Sequence, residues 1–127
     1  MLRLMLLRHA KTERDAPTGN DRDRRLDERG HRDAAAMARW MADQGYVPEL
    51  ALVSSATRAQ QTWAALAPVM PTVSVETVED LYHADTSDLL RIIRMTAASA
   101  PKSLLIVGHN PGLHELGLTL PARGDKN

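Results

Sequence analysis

The chain has 127 residues, 16 Lys+Arg against 16 Asp+Glu, and neither Cys nor Phe. Residues 1–127 make one domain by size, long enough to bury roughly two-thirds of its unfolded surface, and 43% apolar with 25% charged residues is a globular composition. The lack of cysteine excludes a disulfide framework, thiolate catalysis and Cys-held metal, and the balanced charge gives no support for a nucleic-acid or anionic-membrane partner.

The opening run Met1–Leu7 is apolar but broken by Arg3, and it stops at Arg8-His9. It is too short for a membrane span or a signal-peptide core, so the expectation is a cytoplasmic protein with no membrane partner. Leu2–Leu7 reads as a buried strand, followed by a polar loop from Lys11 to Arg25. Asp27 then stands as an N-cap, with Gly30, Ala34, Met37, Ala38 and Met41 on one helical face and Gly45 closing the helix. Leu50–Val53 reads as a second strand, with Ser54 or Ser55 able to cap the next helix. On that helix Ala59, Thr62, Trp63 and Leu66 share a face.

Val73–Val78 alternates as a third strand. After a loop around Asp80–Asp88, a third helix carries Leu89, Ile92, Ile93 and Ala97. Lys102–Val107 is a fourth strand. Asn110 then supplies an N-cap with Pro111 at the first helical position, and Leu113, Leu116, Gly117 and Leu120 form an apolar face. Strands alternating with helices predict an α/β fold: a mainly parallel sheet, right-handed crossovers, and helices on both faces in three α/β/α layers. Only the polar segment from Pro121 to Asn127 follows the last helix, so the sheet is expected to be short of one or more C-terminal strands, through truncation or supply by a partner.

Ligands of open parallel sheets bind beyond the carboxyl ends of the strands. There the first strand delivers Arg8-His9, the second Ser54-Ser55 with Arg58 just inside the following helix, and the fourth Gly108-His109-Asn110. Two arginines and two histidines beside helix N-termini suit an oxyanion. Guanidinium groups present a rigid fork to phosphate oxygens, and free N–H groups at helix starts favour anions. An imidazole kept neutral by nearby guanidinium groups retains a lone pair that can attack phosphorus and form a phosphohistidine. The arginines and the second imidazole would then stabilise the equatorial oxygens. No metal or other cofactor is called for.

Leu7-Arg8-His9-Ala10, Ser54-Ser55-Ala56-Thr57-Arg58-Ala59-Gln60-Gln61-Thr62 and Gly108-His109-Asn110-Pro111 occur in an order and spacing that resemble the histidine phosphatase, or phosphoglycerate mutase-like, superfamily. The segment Arg24-Arg25-Leu26-Asp27-Glu28-Arg29-Gly30 is similar to the Arg-Pro-Leu-Thr-x-x-Gly of its small SixA-like phosphohistidine phosphatases, with Arg25 in place of proline. The resemblance implies a phosphoglycerate mutase-like fold with His9 as nucleophile and Arg8, Arg58 and His109 holding the phosphoryl group. Asp80 stands where larger members place an acidic proton donor. Asn110 and Arg24 are further candidates for phosphate or substrate contact, and His83 is a candidate to line the pocket.

Phosphate monoesters expel an alkoxide and depend on a positioned acid, whereas phosphohistidine expels an imidazole that is protonatable near neutrality, with a pKa of about 6.5. A short chain also has little material for a lid over the site. The implied activity is therefore metal-independent hydrolysis of phosphohistidine in a protein, such as a histidine-containing phosphotransfer domain. Hydrolysis of a small phosphate monoester and non-catalytic binding of a phospho-ligand remain the alternatives.

Overall fold

The computed structural model describes residues 2–119. The elements run β1 (Arg3–Arg8), α1 (Glu28–Asp43), β2 (Leu50–Ser54), α2 (Thr57–Leu66), β3 (Ser74–Val78), α3 (Thr86–Ala97), β4 (Ser103–Gly108) and α4 (Gly112–Thr119), with 3₁₀ turns at Asp21–Asp23, Ala67–Val69 and Glu79–Leu81. The strands pair in the order β1-β4-β2-β3, all parallel. Expectations for Leu120 and for strands beyond it lie outside the described residues. Among those residues no helix is long and apolar enough to cross a membrane.

The period-two geometry of a strand sends alternate residues to opposite faces, and both faces here are covered. On β4, Leu105 and Val107 join Ala51 and Val53 of β2 beneath Ala38, Met41, Ala59, Trp63 and Leu66 of α1 and α2. Leu104, Ile106 and Leu52 face the other way, against Leu89, Ile92, Leu113 and Leu116 of α3 and α4. The three predicted layers are thus present. The chain crosses the sheet in one direction with α1 and α2 on one face, then reverses after β3 with α3 on the other, as right-handed crossovers require.

The local signals hold with some shifts. Asp27 accepts from the Gly30 N–H at 2.6 Å and caps α1, and Gly45 supplies the positive φ of 76° after its end. Met37, expected in the core, is exposed, because the buried stripe of α1 runs through Gly30, Ala34, Ala38 and Met41. Gly117, expected on the apolar face of α4, is likewise exposed. Strand β3 is exposed along most of its length, since β2 is its described neighbour and α2 and α3 pack nearer the sheet centre. Asp85 rather than a later residue starts α3, through a reciprocal capping box with Asp88. Neither serine caps α2: Ala56 occupies the N-cap, and Ser54 lies wholly buried at the end of β2. Helix α4 begins at Gly112, one residue beyond Pro111, after a cis Asn110–Pro111 bond.

Gly30 explains the glycine of the Arg24–Gly30 segment. A Cβ there would stand 1.9 Å from the carbonyl oxygen of Lys11, so α1 and the strap after β1 touch through bare backbone. The same contact is braced by the Asp27 N–H to Lys11 O bond at 3.0 Å and by Lys11 Nζ to Asp27 Oδ2 at 3.1 Å. Gly30→Ala should therefore cost about 1–3 kcal/mol of stability, the range for overpacking a tight contact. Urea denaturation checks this, and an unchanged midpoint would show that the strap yields freely.

Candidate active site

Register builds the site. Arg8 pairs with Gly108 and Val53 with Val107, so β1, β4 and β2 end at one level and set down His9, His109 and Ser54 together. The two imidazole rings lie 5.2 Å apart, centroid to centroid. Arg58, in the first turn of α2, is only 5% exposed. A cleft of about 260 Å³ is lined by Arg58, Tyr82, His83, Asp85, His109 and Asn110, with Glu115 on its α4 side.

The tautomer of His9 follows from its partner. Its Nδ1 lies 2.8 Å from the Ala10 carbonyl oxygen, and a carbonyl only accepts, so Nδ1 carries the proton and Nε2 keeps a lone pair. Burial lowers the His9 pKa to about 4, with the Arg58, Arg8 and Arg24 charges acting in the same direction and the Ala10 bond partly opposing them. The guanidinium groups invoked from sequence thus contribute, but desolvation dominates. His109 is likewise lowered to about 4, first by burial and then by Arg58. Its Nε2 lies 2.7 Å from Ser54 Oγ, which also accepts from the Ala56 N–H at 3.3 Å. Because the buried Ser54 hydroxyl hydrogen needs an acceptor, it goes to Nε2, which leaves the ring proton of His109 on Nδ1. That Nδ1 is buried and has no hydrogen-bond partner among the described residues; neither has Arg58 Nε. Both are unpartnered donors on side chains that neighbour His9: the His109 ring at 5.2 Å and Arg58 through its charge.

The residues around the second sequence motif act as fasteners. Thr62 Oγ1 accepts from the Ala10 N–H at 3.0 Å and donates to the Arg58 carbonyl at 2.8 Å, which ties the end of β1 to α2. Gln61 Oε1 accepts from the Leu26 N–H at 2.7 Å, and Gln60 Nε2 donates to the Ser54 carbonyl at 2.9 Å. Among the described residues no three His, Asp or Glu side chains gather as a metal-binding group.

A family model for the histidine phosphatase superfamily (branch 1) matches residues 4–89. The chain belongs to that superfamily. A protein of Mycobacterium leprae is 33% identical over 126 residues, covering 95% of this chain and 74% of its own. A chloroplast protein of Arabidopsis thaliana is 30% identical over 122 residues, and the match spans 89% of this chain but 56% of that protein. Among solved structures, a protein assigned as the phosphohistidine phosphatase SixA of Agrobacterium tumefaciens superposes with a TM-score of 0.82 at 35% identity, covering 88% of this chain and 71% of its own. The protein histidine phosphatase SixA complexed with tungstate gives 0.79 at 25% identity, covering 94% and 78%. A mycobacterial glucosyl-3-phosphoglycerate phosphatase, at 18% identity and a TM-score of 0.71, shares the fold alone.

Within this histidine phosphatase fold the sequence candidates separate. His9, Arg58 and His109 come together, and Arg8 lies at the end of β1 near enough for its charge to act on His9. Arg24 also acts on His9, but it donates to Asp21 Oδ1 at 2.9 Å and to Thr12 Oγ1 at 3.1 Å. Asn110 lines the cleft while its Oδ1 accepts from the His114 N–H at 3.1 Å. His83 lines the cleft too, its ring centroid 4.0 Å from that of Tyr82 and tilted by 38°. Asp80, like Arg8 and His9, is not among the cleft-lining residues. It is exposed and lines a neighbouring hollow with Glu79, Asp88 and Arg91. Lys11, at the start of the loop after β1, is tied to Asp27.

Two site residues carried no sequence signal. Asp21 and Tyr82 lie 61 positions apart, yet the Tyr82 hydroxyl donates to Asp21 Oδ2 at 2.6 Å. Arg58 meets that same carboxylate at 3.1 Å and the Asp21 carbonyl at 2.8 Å. A loop carboxylate in a charged run looks like any solvated residue until the fold supplies its partners.

Both imidazoles are harder to protonate in the folded chain than in the unfolded one. Between pH 6.5 and about 4 the unfolded chain binds more protons, so stability is full above 6.5 and falls as pH drops through that window. Asp21, held at about 2 by the Tyr82 and Arg58 bonds, loses its contribution lower down, below pH 3.8. Denaturation midpoints should fall from pH 6.5 to 4, and a His9→Gln/His109→Gln double variant should flatten that slope. Equal slopes in both proteins would contradict the assignment.

Proposed function

We propose that this histidine phosphatase hydrolyses phosphohistidine in a protein substrate without a metal, through a covalent phosphohistidine on His9. The observation that carries the reading is the His9 ring: Nδ1 bonded to Ala10, Nε2 unprotonated, and pKa lowered to about 4 beside Arg58 and His109. In the first step the Nε2 lone pair forms a bond to phosphorus as the substrate's P–N bond breaks, and the departing imidazole takes up a proton from solvent water, which the attacking water of the second step gives back. Water then attacks the phosphorus of phospho-His9, which releases inorganic phosphate and returns the neutral ring. Arg58, Arg8 and His109 Nδ1 stabilise the phosphoryl oxygens in both steps, with Arg24 and Asn110 as further candidates for substrate contact.

Two features support phosphohistidine over a monoester. The leaving imidazole is protonatable near neutrality, with a pKa of about 6.5, so the reaction does not depend on a strong positioned acid. Asp80, the candidate donor, is exposed and lines a neighbouring hollow with Glu79, Asp88 and Arg91. The likeness to the SixA structures points the same way. On this reading the partner is a phosphorylated protein such as a histidine-containing phosphotransfer domain, met in the cytoplasm as part of signal transduction. Hydrolysis of a small monoester is the second reading, favoured by the cleft of about 260 Å³ beside His109, which has room for a small phosphorylated molecule.

Incubation with a radiolabelled phosphoryl donor should give an acid-labile, base-stable adduct. His9→Ala should abolish that adduct and lower kcat by about 10³-fold or more. Arg58→Ala should lose roughly 10²–10³-fold, the range for removing one donor to a developing oxyanion. Rates measured side by side on a phosphohistidine-bearing domain and on sugar phosphates decide the substrate: faster monoester turnover would overturn phosphohistidine while leaving the His9 chemistry standing.

A further inference from the structure

Ser54 is a polar side chain in a place built for apolar ones. It closes β2 and is wholly buried, directly after Ala51, Leu52 and Val53, which fill the two cores. A hydroxyl buried there is costly unless it is hydrogen-bonded. Its surroundings are fastened: Gln60 Nε2 donates to the Ser54 carbonyl at 2.9 Å and to Thr77 Oγ1 at 3.1 Å, bracing the end of β2 against β3. The Ser54 Oγ accepts from the Ala56 N–H at 3.3 Å, which turns the hydroxyl hydrogen elsewhere. Among the described residues, the acceptor that this hydrogen meets is His109 Nε2, at 2.7 Å.

His109 is held as firmly from its own side. Its carbonyl accepts from the Leu113 N–H at 3.0 Å, and Gly108 before it pairs with Arg8 of β1. A neutral imidazole carries one N–H, and burial keeps this ring neutral, with its pKa lowered to about 4. The ring proton therefore sits on one nitrogen or the other. With it on Nδ1, the Ser54 hydrogen has its acceptor, and Nδ1 offers a donor that no described residue takes. With it on Nε2, the Ser54 hydrogen would be buried without an acceptor, and Nδ1 would present a lone pair, which repels an oxyanion.

We propose that Ser54 is the positioning residue that makes His109 an oxyanion donor: its hydroxyl occupies Nε2 and so commits the ring proton to Nδ1 before substrate arrives. The proposal rests on the reading that His109 Nδ1 stabilises the phosphoryl oxygens. Ser54 acts through His109, not on the reacting atoms. Which imidazole nitrogen is protonated is set by the hydrogen bond that the other makes. Free neutral histidine favours the Nε2–H form, so a ring without Ser54 would have to move its proton before it could donate from Nδ1. A donor fixed in advance avoids that cost in the transition state.

Nitrogen-15 NMR of the full chain at neutral pH reads the tautomer of each histidine, and calorimetry with orthophosphate reads the donor. Wild type should show His109 as Nδ1–H, its signals assigned by their loss in His109→Ala. Ser54→Ala should shift the His109 signature toward Nε2–H. If that variant keeps Nδ1–H in about one-tenth of its molecules, orthophosphate should bind about tenfold more weakly, because affinity is reduced by the fraction of competent protein. Its kcat should fall by a similar factor, short of the roughly 10²–10³-fold loss for removing an oxyanion donor outright. Ser54→Thr, which keeps the hydroxyl, should retain the Nδ1–H signature and the wild-type affinity.

Wild-type His109 in the Nε2–H form would overturn the proposal whether or not any variant folds. A Ser54→Ala protein that melts lower yet keeps the Nδ1–H signature and the wild-type phosphate affinity would overturn it too, since Ser54 would then serve packing alone. In both cases, loss of phosphate binding by His109→Ala leaves the phosphoryl role of His109 standing. His109→Ala binding phosphate as tightly as wild type would overturn that role, and the proposal with it.

Discussion

Strand β4 is the constraint on which the rest depends. Its residues from Leu104 to Gly108 are buried, and it pairs with β1 on one side and β2 on the other in parallel register. Parallel pairing brings three strand ends to one level, and each end delivers one part of the chemistry: a nucleophile candidate, a second imidazole, and the turn into the helix that carries Arg58. A one-residue slip in either pairing would invert which side chains reach the two cores and would pull His9 away from His109. The apolar faces that lock the register therefore also hold the site geometry.

Within that frame, burial does more than charge. Both imidazoles are kept neutral mainly because the site is withdrawn from water, with Arg58 second for His109 and among the supporting charges for His9. A buried guanidinium requires compensation, and the protein finds it in a carboxylate from a loop that composition alone marks as solvated. The site thus holds two desolvated bases and one desolvated cation, the cation paired with the partly exposed carboxylate of Asp21.

The signature segments look different once their scaffolding is visible. Gly30 is needed for a backbone contact with Lys11, Thr62 ties Ala10 to α2, and Gln61 holds the Leu26 N–H. None of these residues is read as catalytic. They keep the loop after β1, the start of α1 and the body of α2 in fixed relation, so the chemistry at His9 is positioned by ordinary hydrogen bonds at neighbouring backbone groups.

The sequence by itself determined the alternation of strands and helices, the capping of α1 by Asp27, the core face of α2, and the convergence of His9, Arg58 and His109, because each rests on local periodicity or on the rule that parallel strands present their carboxyl ends together. Tertiary structure alone decided the rest. It moved Met37 and Gly117 to the surface, turned Ser54 from a cap into the partner of His109, and placed Asp80 in a hollow with Glu79, Asp88 and Arg91. It also joined Asp21 to Arg58 and Tyr82. Those outcomes depend on which distant segment packs against a residue, and one-dimensional spacing carries no record of a hydrogen bond between a loop carboxylate and side chains 37 and 61 positions away.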